Sequence, residues 1–521
     1  MSLPKTKPDK ASASDEAAGS DAMSATETAA TETPVVSGAQ PIAPAGEQPV
    51  APAGPAAETA TRAAIVTETA ETDHSADDTP VDDVPADETP VAEKPEEPKA
   101  TLWQEPDFLK LWAGQTLAML GAQVGRVAVP IVAVVMLNAN AAQMGLLSAL
   151  SQLPFLLFLF AGVWADRVRR RQAMIWTDLG RFVLLGAIPL LYLTDQLTMS
   201  WLLVLALGLG ILGVMFEVAY QAYLPSLVGR EHLGEGNQKL QLSNSMAQIA
   251  GPSTAGLLVS AVASAMVLVT SAFTYLASAI LVLFIRRPET APQHDGPKQS
   301  VFAAIAAGLR WVLRHQILRP IVVAVSLFMF FNTALQTLYV LYLIRDLKVP
   351  VGWVGAIFAV AGPGAMIGAW AALKMMKKYG LGRSIVWATT ASNVSLLLIP
   401  LAGGPLWLVV TMLALSQFLF GLTAQVAVVN QTTLRMVLTP DNLQGRVAAT
   451  FRAISLGMVP IGALIAGLLA QAIGLREMVL IAAIGVLLPL VALFASPIPK
   501  IVSWPSDEQA EQWAPPAVPA K

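Results

Sequence analysis

Gly162-Val163-Trp164-Ala165-Asp166-Arg167-Val168-Arg169-Arg170-Arg171 places five charges in ten residues, between apolar blocks at 143–165 and 173–194. Each block is about the 20 residues that a helix needs to cross a bilayer core. A charge inside that core costs at least ~2.5–3.5 kcal/mol. The charged stretch therefore belongs in water and its flanks belong in lipid. The same reading extends in both directions, with further apolar blocks at 109–137, 201–224, 241–262, 266–285, 319–344, 351–373, 384–402, 405–429, 447–472 and 477–496. Twelve spans bring both chain ends to one side. The loops after the second, fourth, sixth, eighth and tenth spans hold 19 Lys and Arg, and the alternate loops hold 3, namely Arg345, Lys348 and Arg476. The positive-inside rule then predicts a multi-pass protein of the plasma (bacterial inner) membrane, with even-numbered loops and both termini cytoplasmic.

Composition agrees. Of 521 residues, 55% are hydrophobic and 13% charged, about half the charged share of a soluble domain. There is no cysteine, which excludes disulfides, thiolate metal sites and cysteine nucleophiles. The formal net charge of -3 hides a division, because residues 1–100 hold 20 acidic and 6 basic residues and the remainder holds 16 and 27.

Residues 1–100 are rich in Ala, Pro, Thr, Asp and Glu and contain no aromatic residue. Such a segment buries too little apolar area to offset chain entropy and is expected to be a disordered acidic tail. It reads as a solvated tether, and no sequence feature names a partner for it. The predicted fold class is all-α integral membrane, with a six-helix bundle at 101–285 and a second at 319–496. A cytoplasmic central loop at 286–318 joins them, and a short tail follows at 497–521. Within the loop, Phe302, Ile305, Leu309 and Val312 recur at helical spacing, which predicts an interfacial amphipathic helix over about 300–316. The halves show weak internal similarity. Gly162-Val163-Trp164-Ala165 matches Gly368-Ala369-Trp370-Ala371 at an offset of 206, and Tyr220-Gln221-Ala222-Tyr223-Leu224 matches Asn430-Gln431-Thr432-Thr433-Leu434 at 210. Two repeated bundles around a central loop is a carrier architecture.

Several stretches carry a resemblance to a known family. Gly162, Asp166, Arg167, Arg170 and Arg171 fill the positions of the signature loop of the major facilitator superfamily. Leu111-Trp112-Ala113-Gly114-Gln115, Phe216 to Pro225, and Gly308 to Arg314 resemble its drug and siderophore exporter branch, the group of enterobactin and macrolide efflux carriers. Gly251, Pro252 and Gly256 in the fifth span resemble the Gly-Pro motif of antiporters, with Ala255-Gly256 where a glycine pair is usual. The resemblance covers about 103–496. It implies a major facilitator fold, gating by the signature loop, and a central cavity lined by spans one, four, seven and ten.

Charges within spans are the functional candidates. Glu217 lies about two turns inside the basic end of span four, where desolvation penalises the carboxylate; it is the candidate proton carrier. A fixed ion pair with Arg126 is the alternative. Arg126 is mid-way along span one; it is always charged and cannot itself carry the proton, but it can tune Glu217 or bind an anionic group. Asp178 and Arg181 share one face of span three and read as a latch of the inner gate or as a plain ion pair. Asn332, Gln336 and Tyr339 recur at i, i+4 and i+7 on span seven. With Gln425 and Asn430 of span ten they are candidates for the substrate cavity, interhelical hydrogen bonding being the alternative. Gly364 and Gly368 form a small-xxx-small packing face in span eight.

No phosphate-binding Gly-rich loop, nucleophile–base pair or histidine cluster within the spans is present, so no enzyme, cofactor, metal or nucleic-acid partner is expected. The expected partners are a small-molecule substrate, protons and the lipid bilayer. The leading expectation is a proton-coupled exporter of small amphipathic compounds. A lipid or lysolipid flippase and a non-transporting scaffold that uses the acidic tail are the alternatives.

Overall fold

The computed structural model describes residues 102–157, 168–229, 231–262, 264–287, 301–440, 443–503 and 512–513. The acidic tail lies outside the described residues, as do Gly162, Asp166 and Arg167 of the signature loop. Thirteen helices follow in order: α1 Pro106–Val135, α2 Ala141–Gln152, α3 Arg170–Leu193, α4 Met199–Val228, α5 Leu233–Ala261, α6 Ser264–Leu283, α7 Val301–Arg314, α8 Leu318–Arg345, α9 Val351–Tyr379, α10 Leu381–Leu401, α11 Leu406–Val437, α12 Gln444–Ile473 and α13 Leu475–Phe494. No strand occurs among the described residues.

Ten of these helices are long and apolar enough to cross a membrane. Of the two other predicted spans, α2 runs on as a 3-10 turn over Leu153–Leu157 before the undescribed residues. The other, α5, has 29 residues and is therefore about 43 Å long. It is more polar than the rest because its first half carries Glu235, Asn237, Gln238, Lys239, Gln241 and Asn244. The predicted spans are all helical where described. Several extend further at the basic end than apolarity alone indicated: α4 reaches Val228, α5 begins at Leu233, α9 reaches Tyr379 and α11 reaches Val437.

Local chemistry sets the turns. Pro106 opens α1 with its φ already helical. Asn140 and Gln143 form a reciprocal capping box at α2, each side chain bonding the other's backbone N–H at 2.9–3.0 Å. Gly474, at φ 110°, is the whole link between α12 and α13, a conformation that an L side chain rarely adopts.

Helix packing repeats after six spans. In the first half α1 packs on α5 and α6, α3 on α4 and α6, and α2 on α4; in the second α8 packs on α12 and α13, α10 on α11 and α13, and α9 on α11. The Gly364/Gly368 face lies against the backbone of α11 at Phe418 and Leu422, the close approach its spacing predicted. The halves meet through two equivalent pairs, α2 with α12 and α5 with α9. At the end away from the basic loops these pairs touch backbone to backbone, Gly145 against Gly467 and Gly256 against Gly355. One apolar core spans both halves at that far end, from Val124–Leu147 to Leu335–Leu343 and Met478–Val486. At the basic end the cores are separate, one around Phe108, Tyr223 and Leu240, the other around Ile317, Leu434 and Phe451.

The central-loop helix α7 is present, and its described part packs on protein: Gly308 abuts Arg446 and Thr450 of α12, and Val312 is fully buried. Between α7 and α8, His315 is fully buried. Its Nδ1 accepts the N–H groups of Ile317 and Leu318 at 3.1 and 3.2 Å, capping α8. Burial pushes its pKa from 6.5 down to about 4. A folded-state pKa below the unfolded one means that the fold takes up its proton later than the unfolded chain does. The stabilisation is complete above pH ~6.5 and is lost as pH falls toward ~4. Lowering pH from 7.5 to 5 is expected to cost about 2 kcal/mol at this site. Thermal unfolding of His315→Asn, whose side-chain oxygen can accept the same bonds without titrating, should show a smaller acid-induced fall in Tm than the parent; an equal fall would reject the assignment.

Candidate functional site

A cavity of about 700 Å³ lies within the first half. One face of α1 forms its floor: Gln115, Met119, Ala122 and Arg126 recur at i, i+4, i+7 and i+11. From α4 come Gly213, Phe216, Glu217, Tyr220 and Gln221, and from α5 Asn237, Gln241 and Asn244. Phe155, Arg181 and Tyr275 complete it from α2's 3-10 extension, α3 and α6. Depth follows from helical rise. Phe108 and Leu227 line one small pocket at the basic end, so they fix a common level. Counting from them at about 1.5 Å per residue, Glu217 is about 15 Å deep, Gly213 about 21 Å and Arg126 about 27 Å. The cavity thus rises from Asn237, one turn into α5, toward the end that the glycine contacts close.

Arg126 and Glu217 share this cavity without pairing. Their separation in depth, about 12 Å, is too great for an ion pair. Glu217 is half-buried and accepts a hydrogen bond from Gln221 Nε2 at 2.6 Å. The Arg126 side chain is exposed to the cavity, and among the described residues it has no ion pair or hydrogen bond.

Arg181 is held differently. Its Nη1 meets Asp178 Oδ1 at 3.2 Å, and Nη2 donates to the carbonyl oxygens of Leu212 and Gly213 at 3.2 and 3.1 Å. The guanidinium also lies over the rings of Phe216 and Tyr275, 4.5 and 5.3 Å from their centroids. Asp178 is fully buried, so removing either partner would strand a charge at a cost of about 3–5 kcal/mol. Arg181 thus ties α3 to α4 and lines the cavity, 11 residues or about 16 Å of helix beyond Arg170. At the basic end Arg170 donates to the Ala222 carbonyl and Arg171 to those of Val282 and Leu283. These two residues of the signature loop tie α3 to α4 near its C-terminal end and to the last turn of α6.

In the antiporter-type motif, Gly251 packs on Gln123 of α1, Pro252 is buried within α5, and Gly256 meets Gly355. The motif is a seam between α5 and its neighbours, and lines no part of the cavity.

The candidates in the second half stand elsewhere. None of Asn332, Gln336, Tyr339, Gln425 and Asn430 lines this cavity. Tyr339 is in the apolar core with its ring edge-on to Phe358. Asn430 is buried and donates to Ser384 Oγ at 3.0 Å, linking α11 to α10. Asn332 Oδ1 is buried, and Gln336 and Gln425 are half-buried. A shared helix face does not by itself say what that face meets: Tyr339 is buried, whereas Asn332 and Gln336 are half-buried. The amides that do line the cavity were missed, although Asn237, Gln241 and Asn244 have the same i, i+4, i+7 spacing on the least apolar span.

A helical bundle whose halves are sealed at one end and which holds a polar, charge-bearing cavity is the arrangement of a membrane transporter. The chain belongs to the major facilitator superfamily: residues 100–521 match its transmembrane secretion effector family. It is 27% identical over 374 residues to the multidrug efflux pump Tap of Mycolicibacterium fortuitum, covering 68% of this chain and 88% of that one. It is 25% identical over 368 residues to the enterobactin exporter EntS of Salmonella choleraesuis (strain SC-B67), covering 70% and 85%. Among solved structures, the nucleoside transporter NupG superposes with a TM-score of 0.60 at 12% identity, over 75% of this chain and 98% of that one. A bacterial homologue of the iron transporter ferroportin in its inward-facing state gives 0.57 at 19%, over 76% and 99%. At these identities the structural likeness bears on the fold alone.

Two substitutions test the site. A Cβ added to Gly125 meets nothing within 4 Å, so Gly125→Leu should fold as well as the parent, with helix propensity improved by up to about 1 kcal/mol. It should block solute uptake into vesicles by filling the cavity; undiminished uptake would remove the cavity from the transport path. A Cβ on Gly355 would strike Gly256 and the Pro252 carbonyl. Because the chain lacks cysteine, Ala122→Cys gives one label site. An impermeant maleimide added at the far side should modify it ~10-fold faster once Gly355→Leu shifts the closed population. An unchanged rate would mean that this contact does not seal the cavity.

Proposed function

We propose that the protein is a proton-coupled exporter of small amphipathic compounds in the bacterial inner membrane, with both termini in the cytoplasm. The observation that carries this reading is that Glu217 and Arg126 share one blind cavity and, among the described residues, neither forms an ion pair. A carboxylate in reach of water but set among apolar walls can take and release a proton as the cavity changes access. The rest supports it. Residues 101–285 and 319–496 act as the two rocking halves, joined through 286–318, and their contacts α2–α12 and α5–α9 hold the far side shut. The cavity then faces the cytoplasm, the side from which an exporter loads. The names of the relatives Tap and EntS point the same way.

In the proposed cycle, occupation of the cavity by solute and protonation of Glu217 alternate. Solute enters while Glu217 is ionised, the halves rock, and a proton from outside discharges Glu217 as the solute leaves. Arg181, neutralised by Asp178, holds α4 in register so that Glu217 keeps its depth. The test is flux in proteoliposomes under an imposed pH gradient, with hydrophobic cations, macrolides and catecholate siderophores as solutes. Parent protein should move a solute in proportion to the gradient. Glu217→Gln should still bind and exchange it but lose the dependence on pH. Equal gradient dependence in both proteins would reject Glu217 as the coupling site, and lipid translocation indifferent to the gradient would favour a flippase.

A further inference from the structure

The deep end of the cavity names a ligand chemistry. Three charged side chains line the cavity: Glu217, Arg181 and Arg126. Arg181 is offset by Asp178 and two carbonyl oxygens, and Glu217 stands nearer the mouth. What remains at the closed end is a single guanidinium, Arg126, with no acidic partner among the described residues. A lysine there could shed its proton, but arginine cannot. Its planar fork of donors matches a carboxylate two bonds at a time. Space for such a group is present, because Gly125 beside it opens onto nothing within 4 Å. The walls next along are aromatic, Phe155, Phe216 and Tyr220. Toward the mouth, Gln115 is almost fully buried with its Nε2 unpartnered, a donor awaiting an acceptor. The volume suits a drug-sized molecule.

We infer that the cavity selects aromatic organic acids, with the acid's oxyanion on Arg126 and the ring system against Phe155 and Tyr220. The inference rests on reading this cavity as the transport site. A simple cation is disfavoured, since it would face two guanidinium groups to reach the deep end.

The experiment compares matched probes on the full chain in lipid nanodiscs, with no gradient: nalidixate, 1-naphthoate and 1-pyrenebutyrate against their methyl esters. Binding is followed by microscale thermophoresis. Parent protein should bind at least one acid ~10-fold or more tightly than its ester. Arg126→Gln should erase the difference, Arg126→Lys should keep part of it, and Glu217→Gln should keep it. Equal affinity for acid and ester, no binding of any acid by the parent, or an acid preference that survives in Arg126→Gln overturns the inference. The comparison within the parent needs no variant to fold. It is also independent of coupling: an acid preference without gradient-driven flux sinks the exporter cycle alone, and flux of other solutes without an acid preference sinks this inference alone.

Discussion

Two backbone contacts, Gly145 on Gly467 and Gly256 on Gly355, decide the shape of everything between them. With no side chain at either partner, α2 reaches α12 and α5 reaches α9 at contact distance, and the two halves share one apolar core at that end. Lipid offers helices no hydrophobic reason to associate, so small residues that let backbones approach supply the dispersion contact instead. At the basic end the cores are separate. A bundle pinned at one end and split at the other has a cavity that is blind where it is pinned. The depth of Arg126, the emptiness beside Gly125 and the position of Glu217 toward the mouth all follow from this constraint.

Inside the first half, polarity is concentrated where it can be satisfied. Arg181 is the costliest group to bury, and it is surrounded accordingly by a carboxylate, two carbonyl oxygens and two aromatic faces. Arg126 receives none of this. In a membrane span an uncompensated charge is retained when it faces water or a ligand, and the contrast between two arginines of one cavity separates a structural charge from a functional one more sharply than either alone.

The fold was legible because hydropathy and loop charge are local properties. Spans appear wherever about 20 apolar residues run together, and described helix ends fall close to the predicted ones except where amphipathic turns carry α4, α5, α9 and α11 past the apolar stretch. The site was only half legible. Arg126 and Glu217 stand out because charge in a span is expensive, yet their separation in depth needed the register between antiparallel helices. Two amide stripes of identical spacing show the limit. Asn332, Gln336 and Tyr339 lie within one predicted span. Asn237 falls before the apolar stretch that begins at 241, and Gln241 and Asn244 lie at its start. Only tertiary packing says that the second stripe lines the cavity of the first half, while Tyr339 of the first stripe lies in the apolar core. Asp178 and Arg181 were paired correctly from i, i+3 spacing, whereas the reach of Arg181 to α4 was not in the sequence pattern.

The repeat carries the last step of the argument. Six spans on, the packing of the first half recurs helix for helix, but the charges do not. At the sequence offsets of 206 and 210 that relate the halves, Asp166 corresponds to Ala372, Asp178 to Ser384, Arg181 to Trp387 and Glu217 to Ala427. Ala372, Ser384 and Ala427 are buried and Trp387 is exposed. The second half is therefore a wall that brings no charge of its own at these positions. When it closes over the cavity, the desolvation cost depends on what the first half holds there, and a charged cavity resists closure more than a neutralised one. Neutralising Glu217 with a proton, or Arg126 with an anion, lowers that cost from opposite sides. On the proposed cycle the asymmetry is what lets occupancy of one half govern the movement of both.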